Sequence, residues 1–195
     1  LLTWEDGMTR GTVLMLSLAM WLSVPLAAAQ VELLENASGG YRFLRTLPLA
    51  LRDLVLAKHL LPLAFVAIHV LYGSCFVFFS GMDPLFYRLS RAYLILSANV
   101  CLLATALLLF LLYRFGAPLS LRLVLPAVPI ILLGFIFFSQ VRVLHWALAN
   151  LSHSDLQRLA SLASASSLAL LSCAGLLAYL ALMVASLRAL STREA

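Results

Sequence analysis

The sequence predicts an all-α, polytopic membrane protein, and three observations carry that expectation. Of its 195 residues, 64% are hydrophobic and only 11% charged, against roughly 45–50% and about 25% in soluble domains. The apolar residues gather into five blocks of about 20 or more, enough for a helix to cross about 30 Å of hydrocarbon. The arginines stand singly between these blocks, as topology-setting charges do. Too little polar surface is left to cover a soluble fold, and only helices satisfy their backbone groups inside lipid. At this length residues 1–195 read as one transmembrane domain.

The blocks span residues 12–29, 60–79, 92–113, 121–139 and 159–187. The first competes with a secretory signal, because Met8-Thr9-Arg10 precedes an apolar stretch ending in Ala27-Ala28-Ala29-Gln30. Charge decides for a retained span. With the block kept, Arg42, Arg45, Arg52, Lys58, Arg114, Arg122, Arg188 and Arg193 fall on one side, against Arg10, Arg88, Arg91, Arg142 and Arg158 on the other. The positive-inside rule then places the connection between the first two blocks in the cytoplasm. Pro62, Pro126 and Pro129 predict kinks or helix starts in the second and fourth blocks. The fifth block exceeds one span and is expected to tilt or to begin outside the hydrocarbon.

The net charge of +5 does not point to nucleic acid, because the basic residues form no runs. Cys75, Cys101 and Cys173 lie inside apolar blocks without metal or disulfide spacing, and read as small packing residues. No metal site is expected. His69 is the one histidine well inside a block and is expected to bond a carbonyl of its own helix. His59, His145 and His153 fall at block boundaries and read as solvated.

The connection at residues 31–59 is the informative stretch. Gly39-Gly40 breaks the chain and Pro48 separates two short helical pieces. At 100° per residue Leu44, Leu47, Leu51, Leu54 and Val55 share one face, with Arg42, Arg45, Arg52 and Asp53 opposite. Such a cationic amphipathic element suits either a lipid surface or a groove on a cytoplasmic partner.

The run Tyr41-Arg42-Phe43-Leu44-Arg45-Thr46-Leu47-Pro48-Leu49-Ala50-Leu51-Arg52-Asp53-Leu54-Val55-Leu56-Ala57-Lys58 resembles the cytoplasmic loop of ABC type-2 transporter permeases, the small bacterial ones above all. Leu47, Pro48, Leu49, Arg52, Asp53, Val55 and Lys58 match that loop's pattern, while Ala50 and Leu51 replace its usual serine and first basic residue. The serine N-cap is therefore missing. Glu32 and Glu35 are similar to the acidic residues that precede the loop. The resemblance implies a permease subunit of a bacterial inner (cytoplasmic) membrane. Its coupling segment, Arg42, Arg45, Leu47, Pro48, Leu51, Arg52, Asp53, Leu54 and Lys58, would dock on a separate nucleotide-binding ATPase. ATP and Mg would be bound by that partner, with no cofactor on this chain and a second permease subunit, identical or related, beside it. It also implies six spans, so that the first block corresponds to the family's second and a further span is expected upstream of Leu1.

Independent features fit. No G-x-x-x-x-G-K-[ST] loop occurs, so ATP hydrolysis belongs to another polypeptide. Residues 140–158 read as an external helix at the membrane edge, with Val143, Leu144, Ala147, Leu148 and Leu151 on one side and Trp146 at the interface. Ser161, Ala165, Ala169 and Cys173 repeat every fourth residue, a seam for close helix packing within the subunit or between subunits. The serines around it can bond back to helix carbonyls. An apolar lining favours an amphiphilic substrate over a sugar or ion, and export is the direction the resemblance implies. Two other classes compete. An intramembrane enzyme would use Ser74 with His69 or His145, but it lacks G-x-S-x-G, H-E-x-x-H and any acidic residue in a block. A structural or assembly subunit would suit the seam and basic loop equally, and co-purification of an ATPase separates it from a transporter.

Overall fold

The computed structural model of the chain describes residues 4–37, 50–81, 84–115, 152–162 and 164–194, and every element among them is an α-helix. These are α1 (Trp4–Ala37), α2 (Leu51–Phe79), α3 (Pro84–Phe115), α4 (His153–Leu162) and α5 (Ala165–Glu194). Three stretches are long and apolar enough to cross a membrane: Arg52–Phe79, Tyr87–Phe115 and Ala165–Ser191. A shorter apolar stretch, Met15–Val31, lies within α1. The fourth block, residues 121–139, and most of the expected external helix lie outside the described residues.

α3 is the central element, packing against each of the other four helices. Of its most apolar stretch 44% is buried, against 22% for α2 and 11% for α5. The outer helices therefore leave much of their apolar surface for lipid. Down the middle of the bundle Met20 and Val24 of α1 meet Val66 of α2 and Ala98 and Cys101 of α3. Trp21 Nε1 donates to Ser97 Oγ at 2.9 Å, giving the indole the partner it needs away from water. The first block is thus built into the core, as a retained span would be. Gly73 admits this convergence, since a Cβ there would meet Leu16 Cδ2 at 2.9 Å and Leu94 Cδ1 at 3.0 Å.

Helix directions follow from these contacts. Val55, Val66 and Val77 of α2 pack in turn beside Leu109, Cys101 and Leu94 of α3, so the two are antiparallel. α5 runs parallel to α3, with Gly175 beside Asn99 and Ala189 in the cluster of Leu109 and Tyr113. A parallel pair is what the sequence requires if one further span separates them. α2 ends on Gly81, whose φ of 64° suits glycine just past a helix end, and Ser80 Oγ donates to the Val77 carbonyl at 2.7 Å.

Two boundaries differ from expectation. The second block starts at Leu51 rather than near residue 60, and α2 runs through Pro62 without restarting. Lipid tolerates an interior proline because neighbouring side chains re-satisfy the backbone groups it frees. The fifth block, expected to tilt or to begin outside the hydrocarbon, is two helices, and its candidate span starts only at Ala165. Ser164 ends the first and caps the second: its Oγ accepts from the Ser167 amide at 3.3 Å, while Ser167 Oγ donates back to the carbonyls of Leu162 and Ser164. Serine bonding of this kind competes with helix continuation. α4 opens on its own capping box, with the Asp155 amide donating to Ser152 Oγ and the Ser152 amide to Asp155 Oδ2, each at 3.2 Å.

Candidate functional site

Helix directions bring the end of α1, the start of α2 and the ends of α3 and α5 together at one end of the bundle, termed here the loop end. Ala28, Val55, Leu108, Leu109, Leu112, Tyr113, Ala189 and Leu190 form its apolar core. Arg52, Lys58, Arg114, Arg188 and Arg193 lie at this end, while Arg10, Arg88, Arg91 and Arg158 lie towards the other. Among the described residues the basic excess at the loop end is therefore small, five against four.

The coupling segment is partly in view. Arg42, Arg45, Leu47 and Pro48 lie outside the described residues. Ala50 is the N-cap of α2, extended at φ −72° and ψ 141°, with no side-chain hydrogen bond. Its carbonyl accepts from the Asp53 amide at 2.9 Å. The missing serine cap is thus a physical feature of this helix start, and Asp53 in the first turn is the remaining complement to the helix dipole. Leu51 begins the helix. Arg52 and Asp53 are exposed and their side chains approach to 3.4 Å, an outward pair worth at most about 1 kcal/mol. Leu54 is half-buried and Val55 buried, so this part of the apolar face turns to the bundle rather than wholly to lipid or a partner.

Lys58 differs from the rest of the segment. It is 8% exposed, with Nζ 6.0 Å from the centre of the Tyr113 ring. His59 beside it is 1% exposed, which corrects the expectation of a solvated boundary histidine. Its Nδ1 donates to the Val55 carbonyl at 2.9 Å, and its ring lies 6.3 Å from that of Tyr113 and 5.9 Å from that of Tyr179. Tyr179 reaches from α5 to donate its hydroxyl to the His59 carbonyl. Pro62 has no N–H and its ring crowds the carbonyl four residues back, that of Lys58; the Tyr179 bond, at the next residue, ties the same turn to α5 from outside the helix. Lys58, His59, Tyr113 and Tyr179 together tie α2, α3 and α5 at the loop end.

Sequence reading missed this cluster. Tyr179, a polar-tipped ring deep within an apolar block, was the available signal, since a buried phenol seeks a partner. His69 does bond within its own helix, Nδ1 donating to the Phe65 carbonyl at 2.8 Å. Cys101 is buried, its thiol directed at the Met20 carbonyl at 3.7 Å, but Cys75 and Cys173 are exposed rather than packed. Among the described residues no group of histidine, cysteine and acidic side chains is arranged to hold a metal.

The small-residue seam is divided. Ser161 belongs to α4, whereas Ala165, Ala169 and Cys173 belong to α5 and are exposed. α5 turns Leu168, Ser172, Gly175, Tyr179 and Ser186 inward instead, a face about 100° round the helix from the seam, with Gly175 against α3 and Tyr179 against α2. Ser172 and Ser186 donate to the carbonyls of Leu168 and Leu182, each at 2.8 Å, as expected of serines in lipid. Gly175 makes room for the Asn99 side chain of α3.

A bundle of apolar helices with a basic end is the geometry of a polytopic membrane protein, and comparison with known families decides of which kind. The family model described as "ABC-2 family transporter protein" matches residues 6–191. The chain belongs to the ABC-2 transporter family. It is accordingly a membrane-embedded permease subunit of an ABC transporter, and the loop segment resembling such permeases sits inside the matched region. No match was found among curated proteins or among solved structures.

Proposed function

We propose that this permease is one half of the membrane portion of an ATP-driven exporter of an amphiphilic substrate. A separate ATPase subunit would dock on residues 42–58, with a second permease subunit beside the first in a cytoplasmic membrane of bacterial type. The observation that carries the reading is the continuity of α2. The part of the coupling segment from Leu51 to Lys58 and the span to Phe79 are one helix, tied to α3 and α5 by the cluster around His59. A displacement applied at Arg52 and Leu54 is therefore passed to three helices as a rigid body rather than lost in a flexible connection.

The chain supplies no phosphate-binding loop, so ATP and Mg belong to the partner and act by favouring one arrangement of the assembly over another. Affinity purification in mild detergent tests the reading: an ATPase should co-purify and its hydrolysis should respond to the permease. Leu51→Asp should abolish that response, because a misfilled docking surface costs several kcal/mol. Arg52→Glu should only weaken assembly in a salt-dependent way, by about 1 kcal/mol or less. A permease that neither binds an ATPase nor alters its rate would be a structural subunit instead.

A further inference from the structure

Between α3 and α5, at the loop end, runs an open groove of about 600 Å³. Phe110 and Arg114 of α3 line one wall, and Ala181, Val184, Ala185 and Arg188 of α5 the other. Arg114 is one turn beyond Phe110 and Arg188 one turn beyond Val184, so both exposed guanidiniums stand at the same, loop-end mouth. No acidic residue is among the lining residues. The alanines, spaced by one turn, keep the floor low, and the groove is within the size range of small-molecule sites.

Ordinary roles account for only part of this. Arg114 lies in the last turn of α3, where a cation complements the helix dipole. Arg188 lies more than a turn before the end of α5 at Glu194 and gains little from that effect. Topology explains why both arginines are at the loop end, but it does not place them on one apolar groove. Arginine is suited to phosphate oxygens through its planar fork of donors, and its long stem lets it reach headgroup depth from an apolar surface.

We propose that the groove binds one anionic phospholipid from the leaflet at the loop end. Its headgroup phosphate sits between Arg114 and Arg188, and one acyl chain lies along Phe110, Ala181 and Ala185. The site follows from membrane placement and charge complementarity alone, so it stands whether or not an ATPase binds this chain.

The full chain is reconstituted in nanodiscs of equal phosphatidylglycerol and phosphatidylcholine, then released into mild detergent for native mass spectrometry. Wild type retains phosphatidylglycerol over phosphatidylcholine. Arg114→Gln and Arg188→Gln each lower that retention about five-fold, and the double variant about twenty-five-fold, from roughly 1 kcal/mol per basic side chain near a charged surface. Ala185→Trp, which leaves both charges in place, lowers retention by filling the floor, whereas Arg88→Gln at the far end leaves it unchanged. Inorganic phosphate does not displace the lipid, because the acyl chain contributes to binding. Equal retention of the two lipids by wild type overturns the proposal without any variant needing to fold. So does undiminished phosphatidylglycerol on the double variant, displacement by inorganic phosphate, or an Ala185→Trp variant that loses self-association while keeping its lipid.

Discussion

Replacing Gly175 by alanine would drive a Cβ into Oδ1 of Asn99 and put it 2.9 Å from its Cγ and 3.4 Å from its Cβ. In an open helix this substitution stabilises by about 1 kcal/mol, because glycine is the poorer helix former. At this position contact with α3 decides the sign. The Asn99 amide cannot turn away freely, since its Nδ2 donates to the Ile95 carbonyl at 2.8 Å. Giving up that bond costs about 1 kcal/mol, and forcing α5 outward loosens an interface for about 1–3 kcal/mol. Set against the propensity gain, a net loss of about 1–2 kcal/mol is expected. Asn99→Ala removes the two offending atoms and leaves a Cβ pair at 3.4 Å, an ordinary contact. The double variant should therefore be at least as stable as Asn99→Ala alone, with a coupling energy of about 1–2 kcal/mol. Reversible unfolding in mixed micelles with a denaturing detergent, followed by circular dichroism, measures all four proteins. If Gly175→Ala raised the midpoint and showed no coupling to Asn99, the close approach of α3 and α5 at this level would be refuted.

Three further outcomes are expected. Tyr179→Phe removes the hydroxyl that meets the His59 carbonyl and should cost about 1 kcal/mol, the net worth of one hydrogen bond; the same unfolding assay checks it, and a neutral result would mean that this bond adds nothing to the packing of α5 on α2. Ala50→Ser restores a side-chain acceptor to the uncapped start of α2 and should stabilise the first turn by about 1 kcal/mol, read as slower hydrogen exchange at Arg52, Asp53 and Leu54; unchanged exchange would place the helix start elsewhere. With the exposed Cys75 and Cys173 replaced, a cysteine at position 50 should be labelled only from the cytoplasm and one at position 150 only from outside; labelling of position 50 by an impermeant reagent in intact cells would invert the topology and revive a cleaved first block.

How much of this was legible in the sequence depends on which solvent decided it. The positions of three candidate spans and the helical class follow from the bilayer acting on each segment separately: its thickness sets length and its lack of hydrogen-bonding partners demands helices. The uncapped start at Ala50 was equally local, because an N-cap is a property of one residue and the next three amides. Which face of a span looks inward was not legible. In α5 the lipid-facing Leu170, Leu177 and Val184 are as apolar as the inward Leu168, and the regular stripe of Ala165, Ala169 and Cys173 is exposed. The less regular Gly175 and Tyr179 meet the rest of the bundle instead. In water the inward stripe of a helix is marked by hydrophobicity, but lipid is as apolar as the protein interior, so only shape and hydrogen bonding separate the faces. The same reasoning covers Lys58 and His59. Their place at a block boundary is a one-dimensional fact that suits solvated side chains, whereas their burial required Tyr113 and Tyr179, 54 and 120 residues further along the chain from His59, to arrive at the same level of the bundle.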